Sequence, residues 1–429
     1  MSKSVSSKNQ ASQSLQTNFA GIEAPNPFWL ASAPPTNTGY QVANAFRAGW
    51  GGAVWKTLGR PIVNVSSRYS AVSYKNNRMM GLNNIELITD RPLDVNLAEM
   101  KAVKAEFPHH ALIASLMFET EAEWHDCIRR CEDIGVDGFE LNFGCPHGMC
   151  ERGMGSAVGQ NPDVAEKITG WAKAVATKPV IVKLTPNITD IRVAGLAAQR
   201  GGADAVSLIN TINSVTGINL DTWEPNPSVN GYSTHGGYCG PAVKPIALNM
   251  VAELAKDPAF KIPISGIGGI ETWQDAAEFF LMGASSVQVC TAVMHYGFRI
   301  VEEMISGLES YLDQHQLSHY SALTGQAVQR FTQWQNLDLN HKVIAHINPE
   351  TCIGCQVCYS ACEDGAHQSI ALLANSRVPQ IKEESCVGCN LCSLVCPVDD
   401  CITMVPIERG LEKVTWLDHP ANPHRKVMV

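Results

Sequence analysis

Two cysteine runs with the same spacing constrain this chain more than any other feature of its sequence. Residues 352–362 contain four cysteines separated by two, two and three residues, and residues 386–396 repeat the pattern. Nine of the fifteen cysteines lie between Cys352 and Cys401. Such crowding is typical of a metal or redox centre in a reducing compartment, because cysteines form structural disulfides mainly in secreted proteins.

The spacing C-x2-C-x2-C-x3-C is typical of ferredoxin segments that hold two 4Fe–4S clusters, in which the fourth cysteine of each run ligates the other cluster. A pair of zinc sites is the alternative, but zinc sites usually join two C-x2-C pairs about 15–20 residues apart. Cys401 falls outside the pattern, and we expect it to be a small buried residue. The expected ligands are Cys352, Cys355, Cys358 and Cys396 for one cluster and Cys362, Cys386, Cys389 and Cys392 for the other.

Ahead of these cysteines, eight short β-rich segments recur between Phe28 and Ala292, and most of them are continuous apolar runs. Strands that are buried on both faces have this composition, as parallel strands do. Stretches with helical periodicity lie between most of the segments. The alternation predicts the α/β class and a (β/α)8 TIM barrel, with a doubly wound sheet as the structural alternative.

These patterns divide the chain into five segments. The first 18 residues are polar and lack an apolar core, so we expect a disordered tail rather than a secretory signal. A polar stretch without strand periodicity separates the barrel from the cysteine runs. The expected segments are the tail 1–18, the barrel 19–312, a helical connector 313–345, a ferredoxin-like domain 346–408 and a C-terminal extension 409–429.

Composition excludes several classes of protein. No apolar run reaches the roughly 18 residues that suggest a transmembrane helix, so we expect no membrane association. The formal net charge of −9 argues against nucleic-acid binding, which needs a basic face. Together with the cysteine usage, these features predict a cytoplasmic protein.

Polar residues end several of the predicted strands, where the active sites of such barrels lie. Lys56 and Lys183 are two of them, and a lysine buried there is costly unless it meets an anion or an electron-rich ring. Residues 266–269 and Cys290–Thr291 offer backbone N–H groups at the usual phosphate site of these barrels. No G-x-G-x-x-G motif opens a βαβ unit, so a dinucleotide fold is not supported. These features predict FMN, because a flavin exchanges both hydride with a substrate and single electrons with iron–sulfur clusters.

Cys145 is the candidate acid catalyst. It follows the fourth predicted strand, and a loop with glycines at 148, 153, 155 and 159 comes after it, which is typical of a mobile lid. A thiol with an ordinary pKa of about 8.5 is mostly protonated at neutral pH and can donate a proton. The alternative is a buried structural cysteine. His147 is expected either to orient the loop or to reach the flavin edge.

Residues 142–155 resemble the active-site loop of the dihydropyrimidine dehydrogenases. Four other motifs match the same family, namely ASAPP from Ala31, GLNNIELI from Gly81, KLTPN from Lys183 and KPIAL from Lys244. The resemblance covers residues 19 to about 408, and it is to the catalytic subunit of the bacterial NAD-dependent enzymes.

The resemblance implies reversible reduction of uracil or thymine to the 5,6-dihydropyrimidine, with hydride from FMN to C6 and a proton from Cys145 to C5. Gly144 stands where a serine is expected in the family, so a hydroxyl that could bond the ring is lost. The implied pyrimidine ligands are Asn84, Glu86, Asn142, Asn210 and Thr211. The expected flavin contacts are Ser32, Lys56, Thr57, Asn84, Asn142, His147, Lys183, Gly237, Gly268, Gly269, Cys290 and Thr291.

The resemblance also implies a partner. The part of the large fused family members that carries FAD and NAD(P) has no counterpart here, so electrons are expected from a separate FAD- and NAD-binding iron–sulfur subunit. A heterotetramer with a dimer of this chain is expected. Two alternatives remain. A dihydroorotate dehydrogenase has the same barrel, but it needs a cation for the orotate carboxylate and does not normally carry a fused ferredoxin segment. A non-catalytic electron carrier would bind no flavin.

Overall fold

The computed structural model describes residues 13–74, 76–145, 153–407 and 413–424. The chain forms two compact units, Met1–Arg330 and Phe331–Val429. Among the described residues, none of the helices combines the length and the apolar character that crossing a membrane requires.

The first unit contains a closed barrel of eight parallel strands that neighbour one another in chain order. This confirms the barrel and rules out the doubly wound sheet. The strands are short and almost entirely buried, because helices cover them outside and side chains fill the interior. Barrel strands 1 to 8 are Phe28–Leu30, Gly52–Val54, Ala111–Leu116, Gly138–Asn142, Val180–Lys183, Ala205–Leu208, Ile264–Ile267 and Ser286–Val289.

One long helix follows each barrel strand. Local signals in the sequence fix their starts, such as the Thr120–Glu123 capping box and the Asn161 cap ahead of Pro162. Two shorter helices, Ser156–Gly159 and Thr291–Tyr296, follow strands 4 and 8. The long helices are Gly39–Ala48, Leu93–Glu106, Glu121–Asp133, Pro162–Val175, Ile191–Arg200, Lys244–Lys256, Trp273–Leu281 and Ile300–Gln314.

An antiparallel sheet of four strands is inserted after barrel strands 2 and 6, and we call it the mouth sheet. Its order is Ile212–Ser214, Gly236–Cys239, Asn77–Asn84 and Tyr69–Tyr74. Because each insertion leaves the carboxyl end of a barrel strand, the mouth sheet lies where the active site is expected. The sequence reasoning did not identify it.

The amino-terminal segment is ordered from residue 13, so the expectation of a disordered tail is wrong for residues 13–18; residues 1–12 lie outside the described part. Strands Thr17–Phe19 and Ile22–Ala24 form a hairpin. Phe19 is fully buried and packs edge-on against Trp29, with ring centroids 5.6 Å apart. The apolar residues of this short polar stretch therefore cover the start of the barrel strands.

The segment expected as a helical connector has little α-helix. After Gln314 it forms three short 3-10 helices, Tyr320–Leu323, Val328–Arg330 and Trp334–Asn336. The described part of the C-terminal extension, residues 413–424, packs on its own chain: Leu339 N donates to Val414 O at 2.8 Å.

The second unit has an internal repeat around the cysteine runs. Strands Val343–Ile347 and Ile402–Pro406 pair antiparallel, as do Ile370–Ala371 and Gln380–Ile381. The helices Val357–Gly365 and Leu391–Leu394 each begin next to the third cysteine of a run. Just before each helix, a glycine and a polar residue have positive φ, which winds the loop tightly. These residues are Gly354 and Gln356 in the first run and Gly388 and Asn390 in the second.

Candidate active site

The carboxyl ends of the barrel strands and the mouth sheet surround a deep cavity. Fourteen of the sixteen barrel residues proposed from the sequence line it. Gly237 does not line it but packs closely against Thr211. If Gly237 had a Cβ, that atom would lie 2.7 Å from the Thr211 Cβ. His147 lies outside the described residues. The fourteen are Ser32, Lys56, Thr57, Asn84, Glu86, Asn142, Cys145, Lys183, Asn210, Thr211, Gly268, Gly269, Cys290 and Thr291.

A row of hydroxyl and amide groups crosses one wall of the cavity. The Ser32 and Thr57 hydroxyl oxygens lie 3.1 Å apart, and Asn142 Nδ2 donates to Thr57 Oγ1 at 3.0 Å. Asn210 Nδ2 in turn donates to Asn142 Oδ1 at 2.9 Å. Ser115, fully buried behind this row, lies 2.9 Å from Thr57 Oγ1 and was not proposed from the sequence. The row fixes the two amides with respect to each other.

Lys183 meets a carboxylate at the base of the cavity. Glu140, on barrel strand 4, is fully buried, and its Oε1 lies 3.6 Å from Lys183 Nζ. Ser207 Oγ and Gln288 Nε2 donate to Glu140 Oε2 at 2.8 and 3.0 Å. The sequence reasoning missed Glu140 and Gln288, although a lone carboxylate inside an apolar strand is a signal that a buried cation lies nearby.

Glu86 is bound from two sides near the mouth. Lys56 Nζ pairs with its Oε1, and the Tyr69 hydroxyl donates to its Oε2. The side chains of Lys56 and Glu86 are only 6% and 7% exposed. Burial, followed by the Glu86 hydrogen bond, raises the pKa of Tyr69 well above its usual value, so the hydroxyl keeps its proton. Tyr69 lines the cavity but was not proposed from the sequence, because it belongs to the mouth sheet.

Cys145 sits in apolar surroundings at the end of the described part of the strand 4 loop. It is 9% exposed and belongs to a buried cluster with Ile88, Met117 and Met154. The chain returns against it after residue 152, where Ser156 N donates to Cys145 O at 2.9 Å. Cys145 therefore combines a place in the cavity wall with apolar neighbours.

Three glycines with positive φ form the opposite wall. Gly240, Gly268 and Gly269 have φ of 96°, 129° and 72°. A Cβ on Gly268 would lie 2.9 Å from the Ala247 Cβ, and one on Gly269 would lie 2.8 Å from the Lys244 Cβ. Only glycine fits these turns, which leaves their backbone open to the cavity beside the start of the helix Thr291–Tyr296.

Two further thiols line this wall. Burial raises the pKa of Cys239 to about 11. Burial and the neighbouring Cys239 raise the pKa of Cys290 even further. Both side chains are therefore neutral at physiological pH, and neither is a candidate nucleophile.

In the second unit the structure groups the cysteines across the two runs. Cys362 of the first run lines one cavity together with Cys386, Cys389 and Cys392 of the second. Burial raises the pKa of Cys358, and the nearby thiols of Cys355, Cys352 and Cys396 raise it further. Within the described residues no three His, Cys, Asp or Glu side chains are grouped to hold a single metal ion. The cysteines of each expected ligand set thus lie near one another, and their assignment as cluster ligands stays a prediction.

Comparison with known proteins agrees with this arrangement. Residues 14–312 match the dihydroorotate dehydrogenase family, and residues 345–404 match a 4Fe-4S dicluster domain. The chain is 44% identical over 392 residues to the NAD-dependent dihydropyrimidine dehydrogenase subunit PreA of Escherichia coli (strain K12), covering 91% of this chain and 95% of that one. The chain belongs to the dihydropyrimidine and dihydroorotate dehydrogenase family. The resemblance noted in its motifs is confirmed, and the chain is an oxidoreductase of this family with a 4Fe–4S dicluster domain.

Other family members show both branches. The chloroplastic dihydropyrimidine dehydrogenase (NADP(+)) of Arabidopsis thaliana is 41% identical over 346 residues, covering 78% of this chain and 81% of that one. The catalytic subunit of dihydroorotate dehydrogenase B (NAD(+)) from Pyrococcus abyssi is 37% identical over 318 residues, covering 73% of this chain and 99% of that one. Family membership alone therefore leaves two substrates to be weighed.

Proposed function

We propose that this chain is the catalytic subunit of a dihydropyrimidine dehydrogenase, which reversibly reduces uracil or thymine with electrons from NADH. The observation that carries the proposal is that six side chains implied by the motifs share one cavity. Amide and carboxylate groups complement a pyrimidine edge, which alternates C=O and N–H. The six are Asn84, Glu86, Asn142, Cys145, Asn210 and Thr211.

The same cavity fits FMN. Gln288 lines it, and its Oε1 is a buried oxygen for which the described residues provide no hydrogen-bond partner. The glycine turn at Gly268 and Gly269 offers a backbone cradle for a phosphate. Bound FMN would supply the hydride exchanged at C6 of the pyrimidine. The residues proposed to hold it are Ser32, Lys56, Thr57, Asn84, Asn142, His147, Lys183, Gly237, Gly268, Gly269, Cys290 and Thr291.

Cys145 is the proposed proton donor. In the reducing direction its Sγ–H gives a proton to C5 of the pyrimidine, and in the reverse direction the thiolate takes that proton back. Ile88, Met117 and Met154 keep one side of the thiol away from water. The amides of Asn142 and Asn210 line the same cavity, and we expect them to bind the ring beside Cys145.

Two observations favour uracil or thymine over orotate as the substrate. The lysines in the cavity wall, Lys56 and Lys183, face the carboxylates of Glu86 and Glu140, so the extra carboxylate of orotate would compete with them. In addition, the match of 318 residues covers 99% of the dihydroorotate dehydrogenase B catalytic subunit from Pyrococcus abyssi. That relative is thus too short to hold a counterpart of residues 345–404 as well.

The second unit is the proposed electron entry. Two 4Fe–4S clusters would supply one-electron transfer between the partner and the barrel cofactor. The Escherichia coli relative is named a subunit of an NAD-dependent enzyme, which supports a partner subunit. We expect that partner to carry FAD and the NAD site, in a heterotetramer with a dimer of this chain. The eight cysteines Cys352, Cys355, Cys358, Cys362, Cys386, Cys389, Cys392 and Cys396 are the proposed cluster ligands.

Anaerobic purification with the partner, flavin and iron analysis, and turnover of dihydrouracil with NAD test this proposal. We expect bound flavin, iron–sulfur clusters, and turnover of dihydrouracil but not of dihydroorotate. Cys145→Ala should lower turnover by about 10²- to 10⁴-fold and keep the flavin spectrum. Cys127→Ala, a change in the helix Glu121–Asp133, should leave both turnover and the flavin spectrum unchanged. The opposite substrate preference, or a chain without flavin, would contradict the proposal.

A further inference from the structure

One buried carboxylate connects two side chains of the cavity wall. Lys183 and Gln288 both line the cavity, whereas Glu140, which lies next to both of them, does not. Glu140 is fully buried on barrel strand 4, and its polar neighbours belong to barrel strands 5, 6 and 8. A ligand in the cavity can therefore contact Lys183 and Gln288 directly, but it experiences Glu140 only through the charge of the carboxylate.

The contacts of Glu140 are those of a buried anion. Its Oε2 accepts from the Ser207 hydroxyl at 2.8 Å and from Gln288 Nε2 at 3.0 Å. Its Oε1 has no hydrogen-bond partner among the described residues, and Lys183 Nζ lies 3.6 Å from it. A carboxylate is buried as an anion only where donors and a cation surround it in this way. Glu140 and Lys183 therefore place two opposite charges inside the barrel.

The separation within this pair leaves the ammonium able to bind a ligand. At 3.6 Å the two groups attract each other as charges, but they are too far apart for a hydrogen bond. An acceptor bound at about 3 Å from Lys183 Nζ would lie within about 7 Å of the Glu140 carboxylate. At about 7 Å and an effective dielectric constant of about 20, one unit charge changes the stability of another by more than about tenfold. Glu140 therefore offsets part of the positive field that Lys183 presents to a ligand.

Glu140 also determines the direction of the Gln288 amide. An ionised carboxylate can only accept hydrogen bonds, so Nε2 rather than Oε1 of Gln288 is the end that contacts it. Oε1 is then the other end of the amide, and it is buried without a hydrogen-bond partner among the described residues. The same carboxylate thus fixes one cation and one acceptor of the cavity wall, and the three side chains together have no net charge.

We propose that Glu140 is a positioning residue that lowers the reduction potential of the flavin by offsetting the charge of Lys183. This inference rests on the proposed function. Two-electron reduction of a flavin at neutral pH adds a negative charge to the pyrimidine part of its ring. A wall without net charge stabilises that anion less than an unopposed lysine would. A lower potential makes the reduced flavin the stronger hydride donor, which favours transfer to C6 of uracil.

The test is a sulfite titration of the purified full chain with its flavin oxidised. Sulfite forms an N–S bond at flavin N5 and leaves a negative charge on the pyrimidine part of the ring, so the loss of flavin absorbance reports the local field without any turnover. Glu140→Gln keeps one acceptor oxygen but removes the charge, and it should tighten sulfite binding by about tenfold or more. A tenfold change in the two-electron equilibrium corresponds to a rise of about 30 mV in the flavin potential, measured against a reference dye. Lys183→Gln should weaken sulfite binding, whereas damage to the barrel would weaken it in both variants.

A second background keeps the test decisive if Glu140→Gln loses its flavin. In Lys183→Gln an amide donor still faces the carboxylate, so adding Glu140→Gln to that variant should again tighten sulfite binding. Glu166→Gln is the matched control, because it removes one carboxylate from a surface pair with Arg200, with 2.8 Å between Nε and Oε2. It should leave the sulfite affinity unchanged. Unchanged or weaker binding on removal of the Glu140 charge would overturn the inference. A flavin-containing wild type that shows these shifts but does not turn over uracil would reject the proposed function and leave the role of Glu140 intact.

Discussion

Replacing Glu140 by glutamine should destabilise the barrel, because it leaves Lys183 as a buried charge without its carboxylate. Glu140 is fully buried, the Lys183 side chain is 6% exposed, and 3.6 Å separates Nζ from Oε1. At that distance the attraction is about 5 kcal/mol for an effective dielectric constant of about 20. Removing one member of a buried pair typically costs about 3–5 kcal/mol. We therefore expect a loss of about 4 kcal/mol in the free energy of unfolding.

Tryptophan fluorescence is a suitable probe, because Trp29, Trp50, Trp55 and Trp124 are all fully buried in the first unit. For a unit of this size, the loss should lower the melting temperature by on the order of 8 °C. The double variant Glu140→Gln/Lys183→Met removes both charges, and glutamine can still accept the bonds that the carboxylate accepts. It should recover much of the loss. A double variant less stable than Glu140→Gln would refute the reasoning, because the lysine would then not be the source of the cost.

Three other variants test separate contacts. Tyr69→Phe removes the hydroxyl that holds the mouth carboxylate, and should raise KM for uracil by about three- to tenfold; an unchanged KM would contradict that role. A Cβ on Gly155 would lie 2.5 Å from Cys145 O, whereas one on Gly153, also at positive φ, meets nothing within 4 Å. Gly155→Ala should therefore lower kcat far more than Gly153→Ala does, and equal effects would count against it. Burial lowers the pKa of His110 to about 4. Between that value and about pH 6.5, His110 is protonated in the unfolded chain but not in the folded one. The free energy of unfolding should therefore decrease as the pH is lowered, by less than about 1.4 kcal/mol per pH unit after solvent screening. Thermal melts at pH 7 and pH 5 should show a smaller drop for His110→Gln than for the wild type, and equal drops would refute this.

The barrel and most of its cavity were predictable because their signals are local. Short apolar runs alternate with capped helices, and closure into a barrel then brings every strand end to one face. Lys183 and Asn142 can be placed in this way from the sequence alone. The structure pairs these two positions across barrel strands 4 and 5.

The mouth sheet was missed because its strands lack that signal. Residues 69–74 are mostly exposed and polar, so they show neither an apolar run nor a clean alternation. Tyr69 was lost with them. Glu140 was overlooked for a different reason, since its partner Lys183 lies on the next strand and only the three-dimensional fold brings the two charges together.

The ends of the barrel unit show a related limit. Thr17–Phe19 has a polar neighbourhood in the sequence, and its burial depends on Trp29 lying across from it. Residues 320–336 have helical composition but form 3-10 helices of three or four residues. Tertiary packing determines the burial of the first segment and the 3-10 conformation of the second, and intrinsic secondary-structure propensity does not contain that information.

The central claim is that a dihydropyrimidine exchanges a hydride in the barrel cavity, and one measurement tests it without the partner. The purified full chain, with its flavin oxidised, is mixed anaerobically with dihydrouracil or with dihydroorotate, and the visible absorbance of the flavin is followed. The account predicts that dihydrouracil bleaches the flavin, that dihydroorotate does not, and that Cys145→Ala slows the bleaching severely. Bleaching by dihydroorotate alone, or equal rates in the wild type and Cys145→Ala, would contradict it.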